Sequence, residues 1–268
     1  MSKNPDLKRE FTKAWRLLSA PLRVLPDFIL PGAPKCGTST MYDCIAAHPE
    51  VRRADRKEPT NFIHYPTSTL RSRMHFPFRG GKFITGEASV EYFTHPDAPA
   101  NIHAILPHAK LIFLFRDPIQ RAWSDYQMFV RSGHEMEPFP VVARQAMKWL
   151  NDPECRPLVS SSLRNSFGPV RYLAAGLYWL QAMRWLDYFD REDCLFLLSE
   201  DFFADPKAVT SQVYRHLGLP AWELPQIPAA RTGGYKERID AGIETELKSF
   251  FAPYNKTLAE FLGRELPW

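Results

Sequence analysis

Three features of this sequence predict an α/β fold in three layers, with a central, mostly parallel sheet and helices on both faces. Strand-length apolar runs recur at Phe28-Ile29-Leu30, Lys110–Phe115 and Cys194–Ser199. Helix-forming stretches separate them, so successive strands run the same way and each crossover carries a helix. A glycine-bounded turn follows the first run and Arg116 follows the second, at the strand ends where ligands sit in such sheets.

In chain order, Leu7–Leu22 reads as a short basic amphipathic helix with Phe11, Trp15 and Leu18 on one face. That face is expected to pack on its own domain, with a membrane surface or a partner as the alternative. Residues 1–26 are taken as an N-terminal arm and 27–268 as one domain. Pro26 introduces the first strand, and a helix over Thr40–Ala47 follows its turn. The stretch HPEVRRADRKEPTNFIHYP is poor in apolar residues and rich in proline, hence loop-like. Gly80-Gly81 precede a strand at Lys82–Thr85 that ends at Gly86-Glu87, and a helix spans about Ala98–Leu106. The run KLIFLF at Lys110–Phe115 is the strongest buried-strand signal. Proline in the first turn starts the next helix at Pro118. Residues Glu135–Ser166 read as helices and loops able to form a lid. Tyr172–Phe189 reads as one helix, apolar on much of its circumference; its Trp and Tyr residues serve mainly the core, though they could line an acceptor pocket. Asp205-Pro206 opens a capped helix, and the last helix runs from about Ile243 to Leu262.

Composition narrows the function. The chain has 268 residues, 45% hydrophobic and 24% charged, which is ordinary for a soluble globular protein. A net charge of +4 permits an anionic ligand without the clustered Lys/Arg of a nucleic-acid coat. No apolar run approaches a membrane span, and no secretory signal is visible at the N-terminus. Cys36, Cys44, Cys155 and Cys194 form no C-x-x-C pair, so neither a metal site nor a disulfide framework is expected, and reduced thiols in the cytoplasm are.

The chemistry centres on PGAPKCGTST at Pro31–Thr40. Strand, glycine turn and helix make a phosphate cradle: successive backbone N–H groups point outward where the helix dipole favours an anion. The Gly32–Gly37 spacing matches the start of the P-loop pattern, so the fold is P-loop-like. Thr38, however, stands where that pattern needs lysine, and Lys35 lies inside the loop. A nucleotide triphosphatase places its lysine on the terminal phosphates, so this arrangement departs from that chemistry. A second anion device is FRDPIQRAWSDY: Arg116 leaves a buried strand, and Arg121 and Ser124 follow on the next helix.

These strings resemble the sulfotransferases that use 3′-phosphoadenosine 5′-phosphosulfate (PAPS) and release PAP, in their carbohydrate (heparan sulfate)-type and bacterial branch. PKCGTST is similar to the family's 5′-phosphosulfate loop. The resemblance implies that Lys35 reaches the oxygen bridging phosphate and sulfonate, with Cys36, Gly37, Thr38, Ser39 and Thr40 around the phosphate. RDPIQRAWSDY matches the 3′-phosphate motif at every fixed position, which implies that Arg116 and Ser124 hold that phosphate. KEPTNF resembles the segment whose glutamate is the catalytic base, here Glu58; Ile63 replaces the second aromatic. His64, nearby, is the alternative base, of the type used by small-molecule sulfotransferases. GEASVEYF is similar to another family segment, but Ala88 stands where heparan-modifying members have lysine, which argues against a heparan-like polyanionic acceptor. RTGGYKER resembles the loop that closes over the cofactor, implying Arg231, Gly233 and Lys236.

The chemistry expected is transfer of sulfonate from PAPS to a hydroxyl, or secondarily an amine, of a glycan or small molecule, without a metal. Positioning and electrostatics dominate such a transfer, by analogy with phosphoryl transfer. The alternatives are a P-loop kinase of a small metabolite and an inactive nucleotide-binding protein.

Overall fold

The computed structural model describes residues 5–65, 68–155, 168–228, 234 and 237–268. Its sheet has four strands, β1 (Phe28–Gly32), β2 (Gly86–Glu87), β3 (Lys110–Phe115) and β4 (Cys194–Leu198), in the order β2-β1-β3-β4. Every neighbouring pair is parallel. The central strands are buried on both faces, so they read as continuous apolar runs rather than alternating ones.

Helices surround the sheet: α1 (Pro5–Leu18), α2 (Thr38–Ile45), α3 (Asn61–His64), α4 (Thr69–Arg73), α5 (Ala98–Ile105), α6 (Pro118–Arg131), α7 (Phe139–Asn151), α8 (Val170–Ala174), α9 (Tyr178–Leu186), α10 (Ser199–Ala204), α11 (Pro206–His216) and α12 (Ala241–Leu262). The main core is aromatic along β3 and β4. The ring of Phe115 stacks on Tyr178 at 4.5 Å and Phe113 on Phe196 at 4.9 Å. A second cluster joins α6, α7, α8 and α12 through Trp123, Tyr126, Phe139, Tyr172, Leu247 and Phe251. It is the platform that fixes α6. Asp117 caps that helix, its carboxylate accepting the Ile119 N–H at 2.8 Å.

Four expectations are corrected. The strand expected at Lys82–Thr85 is not part of the sheet; ladder pairing begins only at Gly86. The carboxylate of Asp27 accepts the Thr85 N–H at 2.8 Å, a donor that a longer ladder would have used. Tyr172–Phe189 is two helices, α8 and α9, broken around Gly176. A side chain there would sit 2.9 Å from Pro118 Cβ and 3.1 Å from the Phe251 ring, so the backbone passes α6 at a distance only glycine allows. The strand at Cys194 leads into an extra helix, α10, before the one that Asp205 caps. Finally, the apolar face of α1 does not pack down: Phe11, Trp15 and Leu18 are all exposed.

Candidate active site

β1 ends at Gly32 and α2 starts at Thr38, with the phosphate loop between. Gly37 takes a left-handed φ of 85°, and a Cβ there would meet the Phe203 ring at 2.8 Å. No side chain caps the start of α2, so its first N–H groups are left for a ligand. Thr38 and Thr40 are buried at that turn and Ser39 is half-buried. Cys36 departs from expectation. Its side chain is fully buried toward Tyr178, Sγ to Oη 3.8 Å, and burial pushes the thiol up to about 12. Cys36 therefore offers an anion its backbone only, and the Ser199 hydroxyl braces its carbonyl at 2.7 Å.

Lys35 is half-buried, and its Nζ lies 3.6 Å from Met128 Sδ on α6. Burial lowers the pKa of the ammonium, Asp125 opposes the shift, and Arg131, Arg121 and Arg116 add to it. Arg116, at the end of β3, donates from Nη1 to the Lys35 carbonyl at 3.3 Å. The two anion devices thus meet directly. Tyr178 locks the Arg116 backbone, its hydroxyl donating to the carbonyl at 2.8 Å, and Glu200 accepts the Asp117 N–H at 3.0 Å. Ser124 is one helical turn before Met128, which touches Lys35, so it shares the face of α6 turned to the phosphate loop. Arg121 is a buried structural cation, paired with Asp125 at 3.4 Å and donating to the Tyr172 carbonyl.

Beside the loop a cleft opens between Pro34, the turn Val90–Phe93 and α6, lined by Glu91, Thr94, Asp125 and Arg171. Asp125 is buried there, with Arg171 at 3.6 Å and one oxygen, Oδ1, without a hydrogen-bond partner among the described residues.

Glu58 is half-exposed and pairs with Lys57 at 2.5 Å. Its loop is hung on β2 by hydrogen bonds. The Lys57 carbonyl accepts the Ala88 N–H at 3.0 Å, Ser89 Oγ accepts the Thr60 N–H at 3.2 Å, and Tyr92 Oη accepts the Phe62 N–H at 3.4 Å. Both hydroxyls donate onward to the carboxyl of Glu87, that of Tyr92 at 3.2 Å. Glu87 is fully buried; burial raises it to about 8, nearby Glu58 adds to the rise, and the two hydroxyls oppose it. Glu87 pairs with Ile29 of β1, so the Glu58 loop is tied to the strand beside the one that leads into the phosphate loop. Glu87, within GEASVEYF, is a site residue beyond those that the sequence motifs assign. The signal was present: a carboxylate at a buried strand end, with hydroxyls two and five residues on.

His64 is exposed, its ring edge-on to Tyr65 at 6.4 Å. Arg231, Gly233 and Lys236 lie outside the described residues. Among the described residues no group of three His, Cys, Asp or Glu side chains is placed to hold a metal ion, and no helix is long and apolar enough to cross a membrane.

Comparison with known proteins fits this geometry. The sulfotransferase domain model matches residues 25–230. The chain belongs to the sulfotransferase family. The donor of that family is PAPS, so the kinase and inactive-protein readings are not favoured. Carbohydrate sulfotransferase 15 of Mus musculus is 28% identical over 91% of this chain and 54% of its own length, so the chain spans about half of that relative. Heparan sulfate glucosamine 3-O-sulfotransferase 6 of Homo sapiens is 26% identical, over 92% of this chain and 74% of the relative. A sulfotransferase from Alicyclobacillus acidocaldarius has a solved structure that superposes with a TM-score of 0.70 at 26% identity, covering 91% of this chain and 98% of that one.

Proposed function

We propose that this sulfotransferase moves the sulfonate of PAPS to a hydroxyl of a glycan. The observation that carries the reading is the Arg116–Lys35 contact, which brings the glycine-turn loop and the Arg116 motif together from neighbouring strands. Their residues fit a donor with phosphate at both ends: an uncapped helix start and Lys35 at one, Arg116 and Ser124 at the other. PAPS supplies an activated sulfonate. The N–H groups of Thr38, Ser39 and Thr40, with their hydroxyls, hold the 5′-phosphate oxygens. Lys35 stabilises charge as it develops on the leaving oxygen. Glu58 takes the proton of the acceptor hydroxyl as its oxygen bonds to sulfur. The glycan acceptor is supported by the carbohydrate-acting relatives, and Glu91 and Arg171 line the cleft beside the loop. Residues 27–268 form the catalytic domain and 1–26 an arm upon it. Four free cysteines support a reducing, cytoplasmic setting.

The test is transfer of label from sulfur-labelled PAPS onto a panel of glycans, with calorimetry of PAP and ATP in parallel. Label in a glycan, with PAP bound much more tightly than ATP, is the expected result. Equal affinity for ATP and PAP would overturn the donor assignment, and label only in phenols or amines would overturn the acceptor.

A further inference from the structure

An amphipathic helix ordinarily turns its apolar side to the core. In α1 no apolar side packs down: from Glu10 to Leu18 every residue except Arg16 is exposed. Arg16, on the far side of the helix from Phe11 and Leu18 at α-helical pitch, docks α1 onto the domain. Its Nε lies 3.4 Å from Asp55 Oδ2 and its Nη1 3.5 Å from His75 Nδ1. Just beyond, Ser19 Oγ donates to the Arg16 carbonyl and accepts from Arg23 Nε at 3.1 Å, and Arg23 reaches the Phe76 carbonyl at 2.7 Å. The apolar stripe of the helix carries Phe11, 76% exposed, Trp15, 56%, and Leu18, 78%. Leu22, on the turn after the helix, is 64% exposed. Its carbonyl accepts the Arg79 N–H at 2.9 Å, which brings exposed Phe78 and Arg79 to the end of the stripe.

Charge identifies the occupant. The first 25 residues hold six Lys/Arg and two Asp/Glu; Asp55 takes up Arg16 and Arg23, and the segment stays net basic without them. Two copies meeting stripe to stripe would bring these like-charged segments together. A single stripe of four side chains also falls far short of the roughly 20–30 residues a side of a stable dimer. An anionic bilayer suits both properties: it attracts the basic segment and accepts Trp, Phe and Leu at the level of its headgroups. We propose that α1 and the turn after it form a peripheral docking surface for an anionic phospholipid bilayer, held to the enzyme through Arg16 and inserted through Phe11, Trp15, Leu18 and Leu22.

Co-sedimentation of the full chain with phosphatidylcholine vesicles, with or without phosphatidylglycerol, tests this, alongside analytical ultracentrifugation of the protein alone. Binding to the phosphatidylglycerol vesicles is expected to exceed that to neutral ones and to weaken with salt. The triple variant Phe11→Ser, Trp15→Ser, Leu18→Ser is expected to bind at least about tenfold more weakly, from lost apolar burial. Its PAP affinity stays unchanged, which reports that it has folded. No binding to phosphatidylglycerol vesicles overturns the proposal, as does equal binding by the triple variant. Concentration-dependent dimers of the native chain that the triple variant abolishes would assign the stripe to a second copy instead.

Discussion

The proposed donor side and the proposed base side of the site are built in different ways. Lys35 and Arg116 sit within a few residues of the ends of neighbouring strands and touch directly, side chain to backbone, at 3.3 Å. Glu58 leaves no strand. It lies on a loop tied to β2 through the hydroxyls of Ser89 and Tyr92, and these answer to the buried carboxyl of Glu87. Strand geometry therefore fixes the proposed donor groups, whereas a polar network positions the proposed base. Changes on the donor side should act through binding and charge, and changes on the other through proton transfer and pH.

The largest effect is expected at Lys35. Lys35→Ala removes a charge whose best interaction forms only as the leaving oxygen becomes anionic. Turnover is expected to fall by roughly two to three orders of magnitude, the scale seen when a transition-state donor is lost. PAP affinity falls much less. A loss confined to donor binding, with kcat intact, would make Lys35 a binding group and erase the contrast with Arg116.

Next comes Glu58→Gln, which keeps shape and removes basicity. Single-turnover rates with bound donor are expected to drop about a hundredfold while PAP binding holds. His64→Asn, on an exposed ring, is expected to cost far less. The opposite ranking would hand the base to His64 and move the enzyme toward the small-molecule branch.

Arg116→Ala sharpens the donor side. Losing a charge-assisted bond to phosphate costs about 1.5–3 kcal/mol, so PAP should bind roughly ten- to a hundredfold more weakly. Adenosine 5′-phosphosulfate, which lacks the 3′-phosphate, should be little affected. Calorimetry showing both ligands weakened alike would place Arg116 as a brace of the Lys35 carbonyl alone.

The same division explains what could be read from the sequence. The positions of Lys35 and Arg116 beside neighbouring strand ends were legible because strands declare themselves by apolar runs, and the roles proposed for them rest on that placement. The parallel sheet was legible for the same reason. Local reading failed where tertiary contacts decide. Gly176 splits a helix because Pro118 and Phe251 crowd it, and Asp27 withholds Thr85 from the ladder. The thiol of Cys36 points into the core although its backbone belongs to the loop. Glu87 was visible as a letter in a motif, but its work depends on Thr60 and Phe62, more than twenty residues away.

That network makes the final prediction, the smallest in effect and the most specific to the base side. Burial holds Glu87 protonated up to about pH 8, whereas in the unfolded chain a glutamate ionises near 4.5. Below the lower value both states keep the proton and the contribution of this group to stability is fully present. Between the two values the unfolded chain releases a proton that the folded one retains, so stability falls as pH rises and is lost through about 8. Glu87→Gln has no proton to lose. Its amide also replaces one acceptor oxygen with a donor facing Ser89 and Tyr92, so at pH 5 the variant is expected to melt below the native protein. As pH is raised toward 8 the gap in Tm should narrow, and the neighbouring Tyr92 and Tyr42, both raised by burial, keep their protons throughout. Melting curves of the two proteins that stay parallel from pH 5 to 8 would mean that Glu87 is ionised in the fold. The base loop would then hang on a carboxylate.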